Sequence, residues 1–272
     1  MSQVINSNIA SLNAQRNLDA SQSSLKTSLQ RLSSGLRVNS AKDDAAGLGI
    51  AEKMTAQSKG MTVAARNAND GISLAQTAEG GLAVMGTHLQ RMRELATQAA
   101  SGQYDATNLS ALDQEFQALQ SEVQRIATAT TFNGKQILGS DTAMSFQIGA
   151  NTSTDNQISV STVTGNFSAI VTGLAVLTTG GATASMTAID SAIDDVSSAR
   201  AGLGALQSRF EGVVTQLQSQ NENIQAARSR IMDTDYAAET ANLSRAQILQ
   251  QAGTAMLAQA NQLGSTVLTP LQ

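Results

Sequence analysis

Two long stretches of the chain carry an apolar residue at every seventh position. In an α-helix this spacing places the apolar side chains along one narrow seam, which is typical of helices that pack along their length. The first stretch has Met54, Met61, Ala68, Ala75, Leu82 and Leu89, and the second has Ile189, Val196, Leu203, Phe210, Leu217, Ile224 and Ile231. We therefore predict a very long helix in each half of the chain. The only proline is Pro270, so no proline interrupts either helix.

A third, shorter helix is predicted between these two. Its apolar residues are Leu109, Leu112, Phe116, Leu119, Val123 and Ile126. The connection through Gly102–Asp105 is short, so this helix should fold back antiparallel onto the first long helix. Asp43 and Asp44 precede that long helix and are suited to cap its free backbone N–H groups. The predicted fold is mainly α, an elongated antiparallel coiled-coil helical bundle.

The centre of the chain has a different pattern. Between about Thr131 and Met186 it is rich in Ser, Thr and Gly. Apolar residues alternate at Met144, Phe146 and Ile148 and again at Ile158 and Val160. This alternation predicts a small β-hairpin, with an exposed loop over residues 149–157.

The two ends of the chain are helical tails with little charge. The N-terminal tail has Leu18, Leu25, Leu29, Leu32 and Leu36, with Ile5, Ile9 and Leu12 offset by one position. The C-terminal tail has Leu249, Gly253, Met256, Ala260, Leu263 and Val267 at alternating steps of four and three. Its other faces carry uncharged amides, which can be buried if they find hydrogen bonds. We predict that these residues form self-assembly seams, which are covered by further copies of the same chain.

Composition and charge exclude several classes of function. Charged residues make up 14% of the chain, against roughly 25% in an average soluble protein. The net charge is −4 without a basic run, so neither nucleic acid nor an anionic membrane is expected as a partner. No stretch is apolar over the length of a spanning helix, and the start does not resemble a cleaved secretory signal.

Candidate catalytic and metal-binding groups are scarce. With no cysteine and a single histidine, His88, the chain cannot build a thiolate or histidine metal site. Asp43–Asp44 and Asp194–Asp195 are neighbours in sequence, which directs their side chains to different sides of a helix. We expect caps or solvated charges there, no cofactor and no enzymatic activity.

Particular segments resemble bacterial flagellin. Residues 5–8 (INSN), 31–48 (RLSSGLRVNSAKDDAAGL) and 66–80 (RNANDGISLAQTAEG) are similar to the family's N-terminal signature. Residues 229–262 (SRIMDTDYAAETANLSRAQILQQAGTAMLAQANQ) are similar to its C-terminal signature. The chain departs from the family pattern at Gly81, at Pro270 and in its short centre. The short centre leaves room for only the hairpin and a loop outside the helical layers.

The resemblance implies a structural subunit that polymerises into the helical flagellar filament for swimming motility. It further implies export by the flagellar type III apparatus to the cell exterior, contacts with the flagellar cap and hook-associated proteins, and an export chaperone at the C-terminal tail. Three layers are expected. Residues 1–43 with 233–272 form an inner coiled coil, residues 44–130 with 186–232 form a helical shaft, and residues 131–185 form the hairpin and outer loop.

The resemblance also implies a receptor surface. Residues 90–95 (QRMREL) match the flagellin segment that meets Toll-like receptor 5 of animal hosts, and Glu115 matches an acidic residue on the adjoining helix. Arg91, Leu95 and Glu115 are therefore the candidate receptor contacts. With Leu89, Met92 and Ala96 facing the core, we expect Arg91 and Leu95 to share an exposed face.

Three other functions compete with this interpretation. A hook-filament junction protein resembles flagellin at both termini, but the nearly complete C-terminal signature favours flagellin. An enzyme inserted at the centre lacks an HExxH motif and metal ligands. A chemoreceptor-type signalling hairpin would share the long helices, but the predicted β-hairpin and the missing membrane segments count against it.

Overall fold

A computed structural model describes residues 8–138, 143–160 and 171–266, with side chains as far as residue 262 at the C-terminal end. Five α-helices lie in these ranges: α1 (Ile9–Ser34), α2 (Ala45–Ala99), α3 (Ala106–Ala129), α4 (Thr179–Met232) and α5 (Tyr236–Thr266). Four short strands accompany them: β1 (Thr131–Phe132), β2 (Lys135–Gln136), β3 (Met144–Gln147) and β4 (Gln157–Val160). The prediction of a mainly α helical bundle with a β-hairpin is confirmed.

Local signals set the helix ends. The side chain of Asn8 accepts a hydrogen bond from the Ser11 amide at the start of α1, and Gly35 ends that helix with a left-handed φ of 72°. Asp44 caps α2 as expected, since its Oδ1 accepts from the Gly47 amide at 2.7 Å, whereas the Asp43 carboxylate accepts from the Asn39 and Ser40 amides and does not cap the helix. Helix α4 begins at Thr179, ahead of the predicted shaft boundary at residue 186.

The chain divides into two compact units. One comprises the residues up to Ala56 and those from Asn223 onward, and the other is Gln57–Glu222. In the first, the segment between α1 and α2 is tied to the segment between α4 and α5. The Arg37 amide donates to the Met232 carbonyl at 2.6 Å, and the Thr234 amide donates to the Gly35 carbonyl at 3.0 Å. Val38, Ala51 and Met232 form a small apolar cluster beside these bonds.

The core of the second unit is continuous. Side chains of α2, α3 and α4 pack into one apolar cluster, whose largest fully buried members include Leu82, Met85, Leu89, Phe116 and Phe210. The apolar residues predicted at every seventh position of α2 and α4 are all buried or half-buried, as are those of α3. The predicted seams of these three helices are therefore confirmed.

The predicted hairpin is formed by β3 and β4. The strands are antiparallel, and Phe146 pairs with Ile158. Phe146 meets Phe210 of α4 edge to face, with ring centroids 5.8 Å apart. At the hairpin loop, Ala150 lies so close to α2 that a β-carbon on Gly60 would be 2.8 Å from the Ala150 Cβ. Residues 151–155 of the loop are exposed, as the sequence predicts.

Two features of this unit do not follow from the hydrophobic pattern. Strands β1 and β2 form a second, very short hairpin around Asn133 and Gly134, both of which have positive φ. In addition, α3 holds residues 171–176 through its polar side chains. Gln117 donates to the Leu174 carbonyl at 2.8 Å, Gln120 donates to the Val171 carbonyl, and Asp113 accepts from the Val176 amide at 2.9 Å.

Among the residues that the structure describes, no helix is long and apolar enough to cross a membrane. The same residues contain no cluster of three or more histidine, cysteine or acidic side chains that could hold a metal ion.

Candidate assembly surface

Helices α1 and α5 pack against each other within the first unit. Their covered positions follow a four-three spacing on both helices: Ser11, Ala14, Leu18, Ser21, Leu25, Ser28 and Leu32 on α1, and Glu239, Leu243, Ala246, Gln250, Gly253, Leu257 and Ala260 on α5. Nine of these fourteen residues are small or polar, and the other five are leucines. The pair is therefore joined by an interface that buries few large apolar groups.

Close approach and polar bonds hold the two helices together. A β-carbon on Gly253 would lie 3.2 Å from Leu18 Cδ1, so the backbone of α5 comes close to α1 at this point. Asn8 Nδ2 donates to the Ala260 carbonyl at 2.8 Å. Arg31 lies 3.6 Å from the Glu239 carboxylate, whose side chain is only 9% exposed. The buried carboxylate is thus compensated by a partner of opposite charge.

Besides the five leucines in the interface, the pair carries six large apolar residues on its outside. At least half of the surface of each of these side chains is exposed: Ile9, Leu12, Leu29, Ile248, Leu249 and Met256. We call these six residues the apolar ridges. Ile9 at 70% and Met256 at 64% are extreme values for residues of their type, since such side chains are usually buried.

The residues predicted as self-assembly seams divide between two faces of the α1–α5 pair. Leu25 and Leu32 lie in the α1–α5 interface, whereas Ile9, Leu12 and Leu29 lie outside it. On α5 the interface includes Gly253 and Ala260 together with Gln250 and Leu257, while Leu249 and Met256 lie outside it. The spacing of apolar residues selects the larger side chains Leu249 and Met256, whereas the α1–α5 interface contains their sequence neighbours Gln250 and Leu257. Burial of the exposed members between copies stays a prediction. The Leu263 side chain and Val267 lie outside the described residues.

An open cleft of about 1000 Å³ runs between α1 and α5. Alanine, serine and asparagine side chains line most of it, and the other lining residues are Thr27, Arg31, Glu239, Arg245, Leu249, Gly253 and Met256. The walls are therefore shallow and mostly uncharged. Another helix can cover such a surface where its amides and hydroxyls find hydrogen bonds.

A second candidate surface is the charged cluster on α2 and α3. Arg91 bonds to Glu115 of α3 at 2.8 Å and to Glu94 at 2.9 Å. These hydrogen bonds, chiefly the one that Arg91 donates to Glu115, raise the pKa of the Arg91 guanidinium. All three side chains remain about half exposed. The structure thus brings together two of the three predicted receptor contacts.

The predicted exposure of Leu95 is wrong, because this side chain is fully buried in the core of the second unit. Each helical residue turns by about 100°, so Leu95 lies about 60° from Met92, while Arg91 lies about 100° from it. Helix α2 packs against both α3 and α4 here. Its buried arc is therefore wider than one seam and includes Leu95 but not Arg91.

Comparison with protein families adds to this geometry. Residues 5–143 match the family model of the bacterial flagellin N-terminal helical region, and residues 186–271 match that of the bacterial flagellin C-terminal helical region. Together the two models account for most of the chain.

Individual proteins are similar along the whole chain. A flagellin of Halalkalibacterium halodurans is 43% identical over 99% of this chain and 100% of its own length. A flagellin of Bacillus subtilis is 41% identical over 98% of this chain and 99% of its own length. The crystal structure of Bacillus cereus flagellin aligns with a TM-score of 0.50 and 29% identity, covering 60% of this chain and 94% of that one.

Proposed function

The chain belongs to the bacterial flagellin family and is a structural subunit of the flagellar filament, and on this premise we propose that it assembles by burying the apolar ridges of α1 and α5 between copies. The observation that carries the proposal is the exposure of six large apolar side chains on a helix pair whose own interface is built mostly of small or polar side chains. Each such side chain contributes roughly 1.5–3 kcal/mol when it is fully buried.

We propose that the α1–α5 pair becomes ordered only as the filament forms. Ordering a residue costs roughly 1–2 kcal/mol of conformational free energy. The interface between α1 and α5 buries serine, alanine, glycine and glutamine at many positions, so it offsets this cost poorly. In the filament, neighbouring copies would cover the ridges and the cleft. The pair would then form the inner layer, around a central channel.

Export and motility complete the proposal. The subunit would pass unfolded through the flagellar type III apparatus, fold outside the cell and polymerise beneath the flagellar cap into a filament that drives swimming. An export chaperone would bind the C-terminal tail in the cytoplasm, and hook-associated proteins would join the filament to the hook. The exposed ridge on α5 supports the chaperone assignment, because an apolar helix surface needs a cover before assembly. No catalytic role is proposed.

The sequence identity to flagellins over the full chain favours the filament subunit over a hook-filament junction protein.

Assembly can be tested at one ridge residue. Leu249→Gln keeps helix propensity but replaces an exposed leucine with an amide, and Leu177→Gln makes the same change at an exposed leucine outside the α1–α5 pair. Seeded polymerisation, followed by sedimentation and electron microscopy, should show a critical concentration raised about tenfold or more for Leu249→Gln. The control should assemble like the parent chain. Equal assembly of both variants would reject the proposed role of the ridge.

A second proposal concerns Toll-like receptor 5 of animal hosts. Arg91 and Glu115 are exposed, are paired across α2 and α3, and match positions that meet the receptor in the family. Truncating a well-paired arginine in a protein–protein interface to alanine often weakens the binding free energy by about 2 kcal/mol or more. Reporter cells should therefore respond less to monomers carrying Arg91→Ala or Glu115→Ala. Arg125→Ala, which removes another exposed, paired arginine in the same unit, is the matched control.

A further inference from the structure

Met256 differs from the other methionines that the structure describes. Its side chain is 64% exposed, whereas Met85 and Met92 are fully buried, Met232 is 6% exposed, and Met54, Met61, Met144 and Met186 are half-buried. Oxidation of a methionine depends on access of the oxidant to the sulfur. Hydroperoxides should therefore react with Met256 ahead of the other described methionines.

The product changes the character of the surface. The thioether sulfur attacks a hydroperoxide, the O–O bond breaks, and a sulfur–oxygen bond forms. The sulfur loses two electrons, and the hydroperoxide is reduced to water or an alcohol. The side chain keeps its length but gains a strongly polar oxygen, and methionine sulfoxide reductases can reverse the change.

The position of Met256 makes this change consequential. Met256 lies seven residues after Leu249, so the two side chains share one face of α5, and both line the cleft beside α1. Burial of the ridge between copies would take the sulfoxide oxygen out of water beside the apolar Leu249 side chain. Burying a polar group without a partner is costly, and burying a thioether is favourable.

We propose that Met256 is a redox-modification site through which hydroperoxides block incorporation of the subunit into the filament. The inference rests on the proposed burial of the apolar ridges during assembly. Met256 is therefore open to oxidation in the unassembled subunit. In the assembled subunit it is protected, because neighbouring copies cover its sulfur.

The test uses the full chain, treated with hydrogen peroxide until mass spectrometry shows oxidation of the peptide that contains Met256. Seeded assembly should then require a critical concentration at least about tenfold higher, because a strongly polar oxygen would have to leave water in each contact. Treatment with methionine sulfoxide reductases should restore assembly. Filaments exposed to the same peroxide should oxidise Met256 more slowly than monomers do.

Two variants separate this effect from damage elsewhere. Met256→Leu keeps an apolar side chain and retains all other methionines, so it should assemble equally well before and after peroxide. Met256→Gln carries a polar group of similar length and should assemble poorly without peroxide. Normal assembly of the parent chain with Met256 oxidised, or equal loss of assembly by peroxide-treated Met256→Leu, would overturn the inference. Failure of untreated parent chain to assemble would instead reject the proposed function, and the inference with it.

Discussion

Gly71 of α2 faces the ring of Phe210 of α4 so closely that a β-carbon on Gly71 would lie 2.6 Å from Phe210 Cζ. The same ring packs edge to face against Phe146 of the β3–β4 hairpin. One glycine therefore allows a helix, its partner helix and the hairpin to meet at a single aromatic side chain.

Gly71→Ala should destabilise the second unit although alanine favours helices by about 1 kcal/mol over glycine. Forcing a methyl group into a packed core typically costs about 1–3 kcal/mol, and the Phe210 ring also packs against Phe146. Gly80→Ala is the matched control, because nothing lies within 4 Å of a β-carbon at that exposed helix position. Thermal unfolding should show a lower Tm for Gly71→Ala and an equal or higher Tm for the control. A Tm raised equally in both would contradict the packing described.

Leu95→Ala should cost about 2–5 kcal/mol of unfolding free energy, as expected for a leucine in a filled core. The control is Leu177→Ala, at a half-exposed leucine of the same unit, which should change stability by no more than about 0.5 kcal/mol. Urea unfolding followed by circular dichroism measures both. A small effect at Leu95 would mean that the side chain is exposed after all.

Acid should weaken a contact between α2 and α4. The hydrogen bond from Arg93 holds the pKa of the Asp190 carboxyl below its ordinary value of 3.8. The pKa of Asp190 is lower in the folded state than in the unfolded state. The Arg93–Asp190 pair therefore makes its full contribution to the free energy of unfolding above pH 3.8, and this contribution is lost as the pH falls through the folded-state pKa. In Asp190→Asn and in Arg93→Gln, the Tm should therefore fall less steeply than in the parent chain as the pH is lowered below 3.8. Unchanged slopes in both variants would show that the pair contributes nothing.

The loop over residues 151–155 should accept insertions without loss of assembly. All five residues are exposed, and the loop is held at its base, where Gln147 donates to the Gly149 and Asn151 carbonyls. Exposed polar loop tips tolerate insertions because few contacts are lost. A short epitope tag placed after Ser153 should be accessible to antibody on intact filaments. Tagged filaments that form normally but do not bind antibody would place the loop inside the polymer.

The sequence predicted the helices of the second unit well, because their seams are built from large apolar residues such as Leu82, Leu89 and Phe210. On α5, Gln250 is half-buried in the α1–α5 interface, whereas Leu249 of the predicted assembly seam is exposed on the outside of the pair. A hydrophobic pattern favours the larger apolar residues as the interface. The α1–α5 interface instead forms on the faces where small residues such as Gly253 let the two helix backbones come close.

Other features carry weaker or no signals in the sequence. Gln117 and Gln120 bond to backbone carbonyls about fifty residues away along the chain, and no periodicity of apolar residues marks them. The β1–β2 turn could be predicted from the sequence, because the Asn133–Gly134 dipeptide is a strong hairpin signal. The prediction that Leu95 is exposed is wrong because one seam on α2 does not account for its packing against both α3 and α4.

Hydrogen exchange over residues 250–260 of α5 tests most directly the claim that this helix is ordered by assembly. In dilute monomer the amides should exchange nearly as fast as in an unfolded chain, because the α1–α5 interface alone does not offset the cost of ordering. In filaments the same amides should be strongly protected, since neighbouring copies cover the apolar ridges. Strong protection of residues 250–260 in dilute monomer would contradict the account.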